Sequence, residues 1–191
     1  MEISRADALE LMKKYIKGDY LTKHSMASGL IMERLAGRFK ENRDQWYIAG
    51  ILHDIDYELV NEDPKRHGLE AERILSENGI DKRYIEAIKA HNGENLGIER
   101  TTLLSHVLAA SETSTGLIFA SALMMPDKRI SSIKDKSLKK KFKSKSFAAK
   151  VNRDTIKEIE KADIELYEFL SIALEVMKQN ESILTGNLHE D

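Results

Sequence analysis

Six side chains carry the chemistry this sequence can offer: His24, the adjacent pair His53-Asp54, His67, His91 and Glu112. The chain has no cysteine, which removes disulfides, thiolate nucleophiles, iron–sulfur clusters and Cys-ligated zinc together. Any metal is therefore held by imidazole and carboxylate, donors suited to iron, manganese, zinc, cobalt or nickel. Taken singly the residues prove little, because an inward histidine is usually a hydrogen-bonded core residue and a His-Asp dipeptide arises often by chance. Glu112 is harder to explain away. It follows Leu108 by four positions and Leu104 by eight, on the apolar side of its helix, where an ionised carboxylate is costly unless it is protonated or meets a cation. One or two divalent ions answer that need, and two ions can share the carboxylate of Asp54 as a bridge.

The elements that position these residues follow from apolar periodicity. Apolar residues recur three and four apart and no segment alternates with period two for long, which predicts an all-α domain of about eight helices. His24 lies on the stripe of Ala27, Ile31 and Leu35. A third helix starting near Asn42 is apolar around most of its circumference from Trp46 to Leu52 and ends in His53-Asp54. Asp63-Pro64 reads as the start of a fourth helix, with His67 on the stripe of Ala71, Ile74 and Leu75. Asp81 caps a fifth that ends near His91, and Thr101 opens a long sixth, running to about Ala122, that carries Glu112. Asn152 caps a last helix whose stripe runs through Ile156, Ile159, Leu166, Leu170 and Met177. On this reading four histidines and two acids face one core. The 191 residues suit one domain, residues 1–180, followed by a polar tail at 181–191 that is expected to fray. His106, six residues before Glu112, falls on another face as a bystander, and His189 is a solvated residue of the tail.

Taken in order, His24, His53-Asp54 within Ile51-Leu52-His53-Asp54-Ile55-Asp56, His67, His91 and Glu112 resemble the HD superfamily of metal-dependent phosphohydrolases. The likeness covers roughly residues 20–122, and the stretch from Lys134 to the last helix is similar to the C-terminal part of a subgroup of small HD-domain proteins. The resemblance implies that His24, His53, Asp54 and Glu112 bind one metal and that His67 and His91 serve a second, or contact phosphate if one metal binds. It also implies a catalytic part for Asp54, as ligand and bridge. Two positions depart from the family pattern. Glu112 stands where the last ligand is usually Asp, and Asp56 stands where dinuclear members often carry Gly; metal ligand, helix cap and solvated side chain are all open to Asp56.

Charge is nearly balanced, with 30 basic and 32 acidic side chains and a net charge of −2, so the surface as a whole is not that of a nucleic-acid binder. The exception is Lys134–Lys145, which holds seven lysines against one aspartate. Its Leu138 and Phe142, four apart, suggest a helix with a solvated basic face. If it folds beside the metals, Lys141 or the nearby Arg153 is placed to grip a substrate phosphate, as is Arg66 beside His67. Nucleic-acid binding by this segment alone is a weaker expectation, since it has one aromatic and no accompanying motif. No apolar run approaches a membrane span and the start has no signal-peptide pattern, so a cytoplasmic protein without a membrane partner is expected. Oligomeric state is left open.

Together these features predict a metal-dependent phosphohydrolase, a phosphatase or phosphodiesterase, that cleaves a phosphoester of a small molecule, a nucleotide above all. The alternative is a non-catalytic HD module that binds metal or nucleotide in regulation.

Overall fold

Helices begin where short polar side chains catch the N–H groups that have no partner within the helix. Ser4 accepts from the Asp7 N–H, Asn42 from those of Asp44 and Gln45, and Asp81 from that of Arg83. Thr102 and Ser105 cap each other reciprocally. The computed structural model describes residues 3–185, and among them there is no strand. The order is α1 (Arg5–Tyr15), α2 (Asp19–Phe39), α3 (Arg43–Leu52), α4 (Leu69–Glu77), α5 (Lys82–His91), α6 (Gly93–Leu96), α7 (Leu103–Leu123), α8 (Asp135–Lys143), α9 (Arg153–Lys157), a 3-10 turn (Glu158–Ala162), α10 (Leu166–Gln179) and α11 (Glu181–Thr185). The additions to the expected set, α6 and α11, have four and five residues.

Two helices form the centre. Every residue of α3 from Gln45 to Leu52 is buried, and α7 buries Leu104, Val107, Leu108, Leu117 and Ile118 on successive faces. A helix apolar all round has to be enclosed by others. α2 crosses α3 at a glycine contact: a Cβ added to Gly50 would lie 2.5 Å from the Gly29 Cα and 2.7 Å from its N. This approach brings together His24, five residues before Gly29 on α2, and His53, three residues after Gly50 at the end of α3.

Several expected boundaries move. Asp63-Pro64 does open a turn, with the Asp63 carbonyl accepting from the Arg66 and His67 N–H groups. Gly68 then adopts φ +97° and the helix proper starts at Leu69, so His67 sits in the connection of successive turns between α3 and α4 and not on the α4 stripe. The last helix is two. Asp163 turns left-handed at φ 56° and Glu165 recaps the chain by accepting from the Glu168 N–H. The lysine segment contains α8, anchored by buried Leu138 and Phe142. The tail does not fray at its start: α11 buries Leu184, and Glu181 accepts from the Ser131 N–H at 3.1 Å. His189 lies outside the described residues. No helix among the described residues is long and apolar enough to cross a membrane.

Candidate metal centre

The glycine-set crossing of α2 and α3 leaves His24 Nε2 3.0 Å from His53 Nε2. His67, from the α3–α4 connection, meets His91 at the end of α5 with Nε2 atoms 2.9 Å apart. Asp54 lies between the two pairs. Its Oδ2 is 3.4 Å from His24 Nε2 and 3.3 Å from His53 Nε2, and its Oδ1 is 3.1 Å from His67 Nε2 and 3.4 Å from His91 Nε2. Glu112 approaches the first pair from α7, its Oε2 3.9 Å from His24 Nε2. All six residues singled out in the sequence are thus in one cluster, and one carboxylate spans two imidazole pairs.

The outer bonds of the rings decide what the inner nitrogens are. His53 Nδ1 donates to the Gly50 carbonyl at 2.7 Å, His67 Nδ1 to Asp56 Oδ1 at 2.8 Å, and His91 Nδ1 to the Ile88 carbonyl. His24 Nδ1 faces Thr115 Oγ1 at 2.6 Å, and that hydroxyl donates its own hydrogen to the Glu112 carbonyl at 2.8 Å, so its oxygen is the acceptor. With the ring hydrogen on Nδ1 in all four neutral imidazoles, every Nε2 carries a lone pair, as metal-ligating histidines require. Four lone-pair nitrogens and the two oxygens of an anionic carboxylate then face one another at 2.9–3.4 Å with no hydrogen of their own to share. Cations reconcile such a donor set. Among the described residues the ligand atoms of His24, His53 and Glu112, and those of His53, Asp54 and His91, each lie within 4.8 Å of one another.

Without an ion, protons take over the task of separating these donors: the Asp54 charge and bond raise His53 against the effect of burial. Burial and the neighbouring His53 push His24 down to about 4, and burial pushes His91 down. Burial acts the same way on His67, but bonds to Asp54 and Asp56 overcome it and raise that ring to about 9. Burial opposes ionisation of Asp54, yet the imidazoles, His53 first, hold it well below the usual carboxylate range. Burial, reinforced by the Asp54 charge, outweighs His53 and the Thr113 bond and drives Glu112 up to about 7. Without metal the cluster therefore retains protons, which an incoming ion displaces.

A family model for the HD domain matches residues 21–122, a range that contains all six cluster residues. The chain belongs to the HD domain family. HD domains are generally metal-dependent hydrolases that bind divalent ions, and the donor set of this HD domain fits that chemistry. No curated protein and no solved structure matches the chain.

Around the cluster this HD domain opens a cleft of about 930 Å³, lined among others by Tyr20, Tyr57, His24, Asp54, Glu112 and Lys150. Tyr57 stands edge-on to His67 at 5.1 Å. Three carboxylates of the cleft are engaged, Asp19 with Lys23, Glu58 with the Lys17 and Gly18 N–H groups, and Glu94 with Arg100, and Glu62 is a fourth on its wall. None of the three side chains expected to grip phosphate lines the cleft. Arg66 is exposed on the turn before His67. Lys141 donates to the Ser121 carbonyl at 3.2 Å, because α8 packs over the end of α7 rather than beside the cluster. Arg153 points its guanidinium at the carbonyls of Ala148, Val151 and Phe147, which hold the loop between α8 and α9. The cation that does line the cleft is Lys150, which reading by segment composition passed over. His106 is apart from the cluster, its Nδ1 2.7 Å from Glu158 Oε2.

Three supporting residues went unnoticed or undecided in the sequence. Thr115 fixes the His24 ring, and its spacing of three from Glu112 was the available signal. Asp56 is a helix cap and more: fully buried, it holds His67 with one oxygen and accepts from the Gly68 and Ala71 N–H groups with the other, at 2.8 and 2.9 Å. Asn92 donates to the carbonyls of Pro64 at 2.7 Å and His67 at 2.9 Å, tying the connection to the end of α5.

Proposed function

We propose that this HD domain is a cytoplasmic phosphohydrolase with a two-metal centre that cleaves a phosphoester of a small phosphorylated molecule, foremost a nucleotide. The observation that carries the reading is the arrangement of four Nε2 lone pairs around the two oxygens of Asp54. In it His24, His53, Asp54 and Glu112 would hold one ion, and His67 and His91, with Asp54 shared, would hold a second; iron, manganese, zinc, cobalt and nickel all suit the donors. Divalent ions in such a site lower the pKa of water from about 15.7 toward 7 and neutralise phosphate oxygens.

The protein's own part is to bind and to exclude. Asp54 keeps the two ligand sets at a fixed spacing and, through its charge, orients the attacking water. Lys150 supplies positive charge on the cleft wall for a phosphate. Tyr20 and Tyr57 flank the His24 and His67 rings and offer planar faces to the rest of the substrate.

Metal analysis of freshly purified protein, with a phosphoester and nucleotide panel on the same sample, tests this. The expected result is close to two ions per chain and metal-dependent release of phosphate or nucleotide, with Asp54→Ala losing both metal and at least about a thousandfold in rate. Stoichiometric metal with no turnover across the panel would remove catalysis. The second reading, a regulatory binding module, draws on Glu112, whose carboxylate is bonded by the Thr113 hydroxyl and stands 3.9 Å from His24 Nε2. Thermal stabilisation by a nucleotide without turnover would establish it.

A further inference from the structure

Behind the wall of the catalytic cleft lies a second hollow, of about 730 Å³. The strip Lys150-Val151-Asn152 borders both spaces. The end of α8 gives this hollow Lys143, the loop gives it Lys145 and Lys150, and α9 gives it Arg153 and Lys157, against the single carboxylate of Asp154. Asp154 is paired with Lys157 at 2.8 Å and also faces Lys145. The Arg153 guanidinium binds only main-chain oxygens, so no acid neutralises it there, and its Nε is buried with no hydrogen-bond partner. Tyr167 of α10 lies alongside, with the Lys143 Nζ 5.4 Å from its ring centre.

A carboxylate-poor, concave surface of flexible lysines favours an anion, and lysines beside an aromatic ring are the combination that holds single-stranded nucleic acid. A membrane surface needs a flat or protruding face with exposed apolar side chains, which this hollow does not present. We propose that the basic groove binds a short single-stranded oligonucleotide and that Lys150 passes its backbone from the groove into the catalytic cleft. The binding half stands on the groove alone; the delivery half rests on the hydrolase reading. Hydrolysis of the delivered phosphodiester adds water across one P–O bond. The water oxygen goes to phosphorus and a proton to the departing alkoxide, leaving a phosphomonoester and a hydroxyl end.

Fluorescence anisotropy with a labelled oligothymidylate of about eight nucleotides, on the full chain in chelator so that nothing is cleaved, reads binding directly. Charge reversal at Lys143→Glu and Lys145→Glu, which line only the groove, is expected to weaken binding about tenfold or more. It is also expected to flatten the dependence of log K on log salt by about 0.7 per lost contact. Hydrolysis of bis(p-nitrophenyl) phosphate by the metal-loaded variant stays unchanged. The pair Lys136→Glu and Lys140→Glu, exposed on α8 but outside the groove, is expected to change affinity less than threefold, an order-of-magnitude bound set by screening. Equal losses from both pairs, or none from the groove pair, overturn the proposal, as does inorganic polyphosphate of matched charge competing as well as the oligonucleotide. If no phosphoester is turned over while the groove pair still weakens binding, the groove stands and the hydrolase reading falls. Should the charge reversals lower the melting temperature, Lys143→Gln and Lys145→Gln keep the comparison.

Discussion

At the residue scale the centre depends on which nitrogen of each ring carries hydrogen, and that is set from outside the cluster. For His24 the control is one hydroxyl, Thr115 Oγ1, which accepts from Nδ1 because its own hydrogen is committed to the Glu112 carbonyl. Thr115→Val keeps the shape and removes the acceptor, leaving a buried ring free to rotate or to move its hydrogen onto Nε2. Metal affinity is expected to fall about ten- to a hundredfold, the range for losing an outer partner of a ligand. Competition against a metal-binding dye measures it, and unchanged affinity would refute the assigned tautomer. That the six residues converge was legible in the sequence because their types are rare on apolar stripes. Thr115 and Asp56 were not, because the role of each is a contact with a residue distant in the chain. His67 was found for an incorrect reason. It points inward because Asp56, Asn92 and the φ +97° turn at Gly68 fold the connection over the site.

At the scale of elements, the spacing of the first pair of rings is inherited from the crossing of α2 and α3. A methyl at Gly50 would meet backbone, the Gly29 Cα at 2.5 Å and the Ser28 carbonyl carbon at 2.9 Å, and backbone cannot rotate away. Gly50→Ala must therefore part the helices. Overpacking of this kind costs about 1–3 kcal/mol, which lowers the melting temperature of a chain this size by roughly 2–12 °C. Metal affinity drops with it, since His24 and His53 separate. Gly37→Ala, on α2, is the control: its methyl would meet the end of the Arg43 guanidinium at 2.6 Å, which can swing aside, so stability is expected to hold or rise by up to about 1 kcal/mol. If the two variants melt alike, the glycine crossing does not set the site. Periodicity revealed α2, α3, α5 and α7 because each has one continuous register. It merged α9 with α10, whose stripes run on in sequence across Asp163, and nothing in apolar spacing marks a left-handed residue.

Over the whole molecule, the question is how the chain beyond residue 122 is joined to the matched HD range. Ile130, Leu138, Ile156, Ile159, Phe169 and Leu170 share the apolar core of α2 and α7, and one carboxylate adds a polar tie. Glu158, on the 3-10 turn after α9, accepts from Arg100 Nη2 at 2.8 Å and Nε at 3.0 Å and from His106 Nδ1 at 2.7 Å. Arg100 in turn donates to the carbonyl of the cluster residue His91 at 3.2 Å. Burial alone would raise the Glu158 pKa, but the Arg100 and His106 bonds outweigh it and bring the group from 4.5 down to about 2. A carboxylate with a depressed folded-state pKa contributes stability that is fully present above its unfolded value and is lost as pH falls through the folded one. Glu158→Gln removes the charge and keeps the shape, and at pH 7 it is expected to cost about 1–3 kcal/mol, or roughly 2–12 °C in melting temperature. The gap between the two proteins should narrow steadily from pH 4.5 toward 2, because the wild-type carboxylate is itself becoming neutral there. Groups remote from Glu158 titrate in both proteins and cancel in the difference, so differential denaturant melts at stepped pH isolate Glu158 with the partners it shares, His106 and, through Arg100, Glu94. A gap that persists undiminished well below pH 4.5 would show that Glu158 joins the two parts by shape and not by charge.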